Sequence, residues 1–230
     1  MLKAVILAGG RGDRLRPLTD TVPKPMIEIN GKPFLQYQVE LLREYRISEI
    51  VLCVGYLKDR IMDYFGNGSP FKLNIKYSVE KGFLGTAGAL KAAATLLGND
   101  FILVYGDSYL PIDYAEFVNF GSRHNDASVV ACYDNKTKIA QNNILLDKKN
   151  FVKAYDKHHP DKKMNHVEAG VAILKRQILD IIPEGRTVSL EDEIFPVLIK
   201  EKRLRGYPTS QRFYDIGTLK GLHEIEEVLK

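Results

Sequence analysis

The sequence predicts an α/β fold, a doubly wound sheet that is mixed but mostly parallel, with a small antiparallel addition in its second half. Three observations point there. Apolar runs at residues 2–8, 50–54 and 101–105 are short and end at or beside glycines, as strands buried on both faces do. Helical stripes separate the early runs, so strand, helix, strand, helix, strand repeats through residue 79, the pattern of crossovers feeding a parallel sheet. Residues 142–146 and 151–156 are short strand-like pieces split by a Lys148-Lys149-Asn150 turn, which reads as an antiparallel pair.

Taken in order, residues 26–29 read as a short strand closed by the Asn30-Gly31 turn. Pro33 suits the start of a helix, where its missing N–H costs nothing, and Leu35, Val39 and Leu42 mark that helix's buried face. Residues 49–54 form the second strand, 58–65 a helix stopped by Gly66-Asn67-Gly68, and 73–79 an alternating strand. Ala87, Leu90, Ala94 and Leu97 stripe a helix after the glycines of residues 82–88. Helix at 113–123 and strand at 127–133 precede the antiparallel pair, and residues 165–174 form a strand with Gly170 at its centre. Ser189 caps a helix whose first turn carries Glu191, Asp192 and Glu193, and capping suffices to explain those acids. Leu219, Leu222, Ile225 and Leu229 stripe a closing helix.

Composition narrows the function. A chain of 230 residues suits a single domain over 1–230, and 45% hydrophobic with 27% charged residues is ordinary for a soluble globule. The net charge of +4 fits small anionic substrates and is too weak to argue for nucleic acid. Cys53 and Cys132 both lie in apolar strand-like runs, which reads as buried thiols in a reducing compartment. No run reaches the ~20 apolar residues of a membrane helix, and no leader pattern opens the chain, so a cytoplasmic location with no membrane partner is expected. A homodimer is an expectation that composition leaves open.

The chemistry concentrates at the front. The first strand breaks at Gly9-Gly10-Arg11-Gly12, followed by Arg14 and then by Pro23-Lys24-Pro25. Glycines let backbone N–H groups approach a ligand, and inward-turned N–H groups make a nest for anions. Arg14 and Lys24 add charge, so the stretch reads as a polyphosphate site, or more plainly as a tight turn with solvated arginines. It is not a Walker loop, since no Gly-x4-Gly-Lys-Ser/Thr string occurs. A dinucleotide fingerprint fails too: Leu15 stands where the third glycine belongs, and no acid ends the second strand.

Residues 7–19, Leu-Ala-Gly-Gly-Arg-Gly-Asp-Arg-Leu-Arg-Pro-Leu-Thr, with Pro23-Lys24-Pro25, resemble the signature of sugar-1-phosphate nucleotidyltransferases. The family joins a nucleoside triphosphate to a sugar 1-phosphate and releases pyrophosphate on a Rossmann-like fold. The resemblance runs from Leu2 to about Leu222 and implies those two substrates as partners, with Mg2+ as cofactor. It implies that Leu7, Ala8, Gly9, Gly10, Gly12, Arg14 and Lys24 hold the nucleotide. Leu84-Gly85-Thr86-Ala87-Gly88 is similar to the family's base and ribose loop, which adds Gly85, Thr86 and Ala87, with Glu80 in the place of an acid that contacts the substrate region. One departure is Asp13, where the family usually has Thr; a carboxylate beside a triphosphate repels it unless it caps the next turn or helps hold the metal.

The second half extends the resemblance. Gly106-Asp107 after the third apolar strand is similar to the family's metal-binding Gly-Asp, and Phe213-Tyr214-Asp215-Ile216-Gly217-Thr218 resembles its Trp/Tyr-x-Asp-x-Gly-Thr segment with the second metal ligand. That implies Asp107 and Asp215 as metal ligands, Asp107 joining Arg14 and Lys24 as the catalytic set. Asp156-Lys157 resembles the family's Glu-Lys pair, whose lysine grips the sugar phosphate. Residues 168–172 resemble the Asn-Ala-Gly-Ile-Tyr strand, with Glu168 for Asn. Gly106, Lys157, Glu168 and Gly170 are the expected sugar-phosphate contacts, Gly170 because a ligand's close approach explains a strand glycine. The antiparallel pair becomes a sugar-side subdomain, and the β-helix that extends some members is not expected. Residues 51–79 look most like heptose-1-phosphate guanylyltransferases, and residues 84–88 also occur in mannose-1-phosphate members, so GTP is the expected triphosphate, with UTP or CTP as alternatives. A catalytically inactive sensor of nucleotide sugars is the competing class, against which the intact Arg14, Lys24, Asp107, Lys157 and Asp215 argue.

Overall fold

The structure, a computed structural model, describes residues 2–230. Seven strands form the central sheet: β1 (Lys3–Ala8), β2 (Glu49–Val54), β3 (Asn74–Val79), β4 (Asp100–Tyr105), β5 (Ser128–Tyr133), β6 (Val167–Lys175) and β7 (Leu204–Thr209). Their order across the sheet is β7-β5-β6-β4-β1-β2-β3. β3, β2, β1 and β4 run parallel, as do β7 and β5, while β6 is antiparallel to both neighbours.

Helices cover both faces. Along β1, Ala4, Ile6 and Ala8 face α1 (Phe34–Glu44), α2 (Lys58–Phe65) and α4 (Tyr114–Arg123), whose Leu35, Ile61 and Phe117 close that core. Val5 faces the opposite way, toward Leu90 of α3 (Gly85–Ala92) and Leu198 of α5 (Phe195–Lys200). Burying both faces explains why the strands read as near-continuous apolar runs. A third cluster joins Leu15, Ile29 and Phe34 to Leu222 and Ile225 of α6 (Leu219–Val228), so the last helix packs on the front of the chain.

The predicted strand at residues 26–29 shrinks to Glu28–Ile29, because Pro23 and Pro25 favour a tight 3₁₀ turn over Lys24–Met26, in which Met26 N bonds back to Pro23 O at 2.7 Å. The antiparallel pair forms between Ile144–Leu146 and Val152–Tyr155. It lies against α5 and β7, where Gly206 leaves room for the Leu146 side chain. Among the described residues no helix is long and apolar enough to cross a membrane.

Candidate active site

A cleft of about 530 Å³ opens at the C-terminal ends of β1 and β4, where parallel sheets place their ligands. Leu7, Ala8, Gly9, Gly10, Gly12, Arg14, Lys24, Gly85, Thr86, Gly106 and Asp107 all line it. Residues from four separate stretches of sequence thus meet in one place.

The front loop is shaped by Gly12, whose φ of 69° is left-handed and whose missing Cβ would press on the Lys24 and Thr19 side chains, each at 3.0 Å. Lys24 therefore passes beneath the loop almost wholly buried, and its Nζ donates to Asp107 Oδ2 at 2.6 Å. Arg14 lines the same cleft, and a Cβ at Gly217 would lie 3.0 Å from its Nη2 and 2.7 Å from Asp215 Oδ1, so guanidinium and carboxylate crowd one point. Asp13 neither caps a side-chain-bonded turn nor joins the two aspartates: it pairs with Arg16 at 3.0 Å on the exposed rim, which offsets its repulsion of an incoming anion.

Asp107, in the turn before Ser108–Tyr109, and Asp215, remote in sequence, are brought together by a short ladder. Ser108–Tyr109 and Tyr214–Asp215 form an antiparallel ladder with Asp215 opposite Ser108, and Ile216 N donates to Asp107 O at 2.9 Å. Asp107 lines the cleft; Asp215 stands exposed behind Gly217, which does line it, and accepts Gly217 N at 2.7 Å. Among the described residues no three His, Cys, Asp or Glu converge to hold a metal by themselves. Two partly solvated carboxylates nevertheless fit Mg2+, which takes one or two protein carboxylates and fills its shell with phosphate oxygens and water. The charge pattern agrees. Lys24 is already paired with Asp107, so a polyphosphate would meet a cation that a carboxylate has largely neutralised.

Near the end of β4, Lys157 Nζ lies 3.5 Å from Glu191 Oε1 and 3.8 Å from Glu168 Oε2. Burial pulls the ammonium's pKa down, but the two carboxylates outweigh it and hold it above the ordinary lysine range. Burial pushes Glu168 up, whereas at Glu191 burial is overcome by Lys157 and by hydroxyl donors from Thr86 and Tyr105, leaving its carboxyl below the usual range. Glu168 Oε1 also accepts Gly170 N at 2.7 Å.

One expectation is overturned, and other residues gain partners that the sequence does not show. Glu191 is no helix cap: Ser189 Oγ accepts Asp192 N, Glu193 Oε1 accepts Ser189 N, and Glu191 is left to point inward from a π-helical turn over Leu190–Ile194. Gly170 has a structural reason of its own to be glycine. It has φ 81°, and the space of its Cβ is filled by the Ser108 side chain. Ala87 is fully buried with its N–H bonded to Val188 O, so it supports the cleft from behind. Gly85 and Gly88 face the backbone of residues 186–188, so packing alone requires small residues there. The Thr86 hydroxyl is likewise engaged with Glu191 and Leu190 N. Asp156 Oδ1 accepts the N–H groups of His158 and His159, both at 2.8 Å, so the acid of the Asp-Lys pair shapes its own loop.

The cleft continues past Gly9. Glu80 lies so close to Gly9 that a Cβ there would strike its Oε1, and burial raises its carboxyl above the usual range, partly countered by Leu84 N. A second hollow of about 560 Å³, with Arg11, Tyr56 and Lys81, adjoins the first across Glu80 and Phe83. Phe83 stands at this junction 72% exposed.

A family model described as nucleotidyl transferase matches residues 3–230. The chain belongs to the nucleotidyl transferase family. Mannose-1-phosphate guanylyltransferase of Mycobacterium tuberculosis is 34% identical over 222 residues, an alignment covering 94% of this chain and 61% of that protein. Its counterpart in Saccharomyces cerevisiae is 31% identical with the same coverage, so the chain spans 61% of the length of these relatives. HddC from Yersinia pseudotuberculosis superposes with a TM-score of 0.83 at 28% identity, covering 100% of both chains, and a structure of it complexed with GMP-PN superposes equally well. A UDP-glucose pyrophosphorylase complexed with UDP-glucose, at 21% identity and a TM-score of 0.82, shares the fold.

Proposed function

We propose that the chain transfers GMP from GTP to a sugar 1-phosphate and releases pyrophosphate. The observation that carries this reading is the convergence of Arg14, Lys24 and Asp107 on one cleft, with Lys157 over the ring of Tyr105, which lines the same cleft. A phosphate oxygen of the sugar 1-phosphate attacks the α-phosphorus, and pyrophosphate leaves in line. The nucleophile is already an anion, so the site needs no strong base; it must hold two anions together and neutralise growing charge. The loop at Gly9–Gly12 with Arg14 and Lys24 holds the triphosphate and steadies the leaving group, while Lys157 holds the sugar phosphate. Asp107 and Asp215 would hold Mg2+, which supplies positive charge to the reacting phosphoryl groups when bound.

GTP is favoured because the Watson–Crick edge of guanine carries adjacent N–H donors, and the Glu80 carboxylate beside Gly9 is a two-oxygen acceptor. The GMP-PN complex of HddC and the guanylyltransferase names of the relatives support the same base. For the sugar we infer mannose 1-phosphate or a manno-configured heptose 1-phosphate, with Glu168 near the sugar hydroxyls. The test is pyrophosphate release with four nucleoside triphosphates crossed against mannose, heptose and glucose 1-phosphates. GTP with a manno-configured acceptor should give the fastest release; no release with any pair would overturn the reading.

A further inference from the structure

We propose that Glu191 is a positioning residue that aligns Lys157 with the cleft and ties the sugar-phosphate side to the nucleotide loop. This rests on the transferase reading above. Glu191 is 6% exposed, and both carboxylate oxygens are engaged. Oε2 accepts the Thr86 hydroxyl at 2.6 Å, and that hydroxyl in turn accepts Leu190 N at 2.7 Å. Oε1 accepts the Tyr105 phenol and faces Lys157 Nζ at 3.5 Å. One carboxylate therefore links α3, the end of β4 and the loop that bears Lys157.

The need for such an anchor follows from the lysine. Its stem is long and flexible, and an ammonium has no fork to fix its direction. Lys157 rests between Glu191, Glu168 and the faces of Tyr105 and Tyr155, whose ring centres are 5.3 and 5.9 Å from Nζ. Glu168 lies farther away at 3.8 Å and spends its other oxygen on Gly170 N. Glu191 is thus the closer anion, and it stands on a π-helical turn of the kind that often marks a working site.

Glu191→Gln tests this. Glutamine keeps an oxygen for the Thr86 hydroxyl and loses the charge opposite Lys157. The KM for the sugar 1-phosphate should rise about ten- to a hundredfold, the loss of one charge-assisted contact, while the GTP Kd from calorimetry stays within about twofold. A double-mutant cycle with Lys157→Met decides whether Glu191 acts through the lysine. Once Lys157 is gone, Glu191→Gln should cost little more. Effects that multiply, or an equal loss of affinity for both substrates, would overturn the proposal. If the Gln variant does not fold, Glu191→Asp, which draws the carboxylate back by one methylene, enters the same cycle. A parent enzyme that releases no pyrophosphate would sink the transferase reading itself; an active parent with multiplying effects would sink only the role of Glu191.

Discussion

Removing the Lys24 charge probes the cleft where substrate binding and folding stability can be told apart. Lys24→Met keeps the stem and deletes the ammonium that sits 2.6 Å from Asp107 Oδ2. The pair is lopsided: the Lys24 side chain is 10% exposed and that of Asp107 35%. Water reaches the carboxylate that is left behind, so the stability loss should fall below the ~3–5 kcal/mol of breaking a fully buried pair and above the ~0.2–1 kcal/mol of an exposed one. A loss of about 1–2 kcal/mol lowers the melting temperature by roughly 2–8 °C for a chain of this size. Turnover should fall much further, by ~10²–10³, because a cation aimed at charge that grows in the transition state is lost. Calorimetric melting and a coupled pyrophosphate assay on one preparation measure both. Turnover within about threefold of the parent, with the melting shift as expected, would show that Lys24 serves the fold and not the reaction.

Other expectations follow from the same geometry. Asp107→Asn and Asp215→Asn should each raise the magnesium concentration needed for half-maximal turnover; unchanged magnesium titrations would remove both from the metal site. Glu80 must be ionised to accept from guanine, and burial raises its pKa, so kcat/KM for GTP should fall on the acid side at a pH above the ordinary 4.5 of a glutamate. Glu80→Gln should abolish that limb, and its persistence would reassign the titrating group. The chain has no tryptophan, so Phe83→Trp creates a single reporter at the mouth of the cleft. GTP should quench its emission if the ring lies over the base, and unchanged emission at saturating GTP would place the base elsewhere. Gly170→Ala should destabilise by about 1–3 kcal/mol in thermal melts, from its positive φ and the Ser108 side chain in the way; a neutral melt would mean that Ser108 yields.

Much of the fold was legible because its signals are local. Burial on both faces makes the strands continuous apolar runs, and the helix bounds predicted at residues 58–65 match Lys58–Phe65. The front of the site was legible for a similar reason: a glycine loop, Arg14 and Lys24 lie within one stretch, and Asp107 stands in the turn just after a strand. What escaped depends on remote partners. The acids after Ser189 were all explained by capping, and only the π-helical turn separates Glu191, which points inward, from Asp192 and Glu193, which serve the cap. That Ser108 fills the space of a Gly170 Cβ is equally hidden, because the two are remote in the chain. The hold of Asp156 on the His158 and His159 N–H groups is likewise a property of the folded loop.

The account rests on both substrates meeting in one cleft, so that the sugar phosphate displaces pyrophosphate without a covalent nucleotidyl-enzyme. Running the reaction with one diastereomer of guanosine 5′-O-(1-thiotriphosphate) and assigning the product's configuration by phosphorus NMR tests that directly. Inversion at the α-phosphorus is the predicted result, and net retention would contradict it.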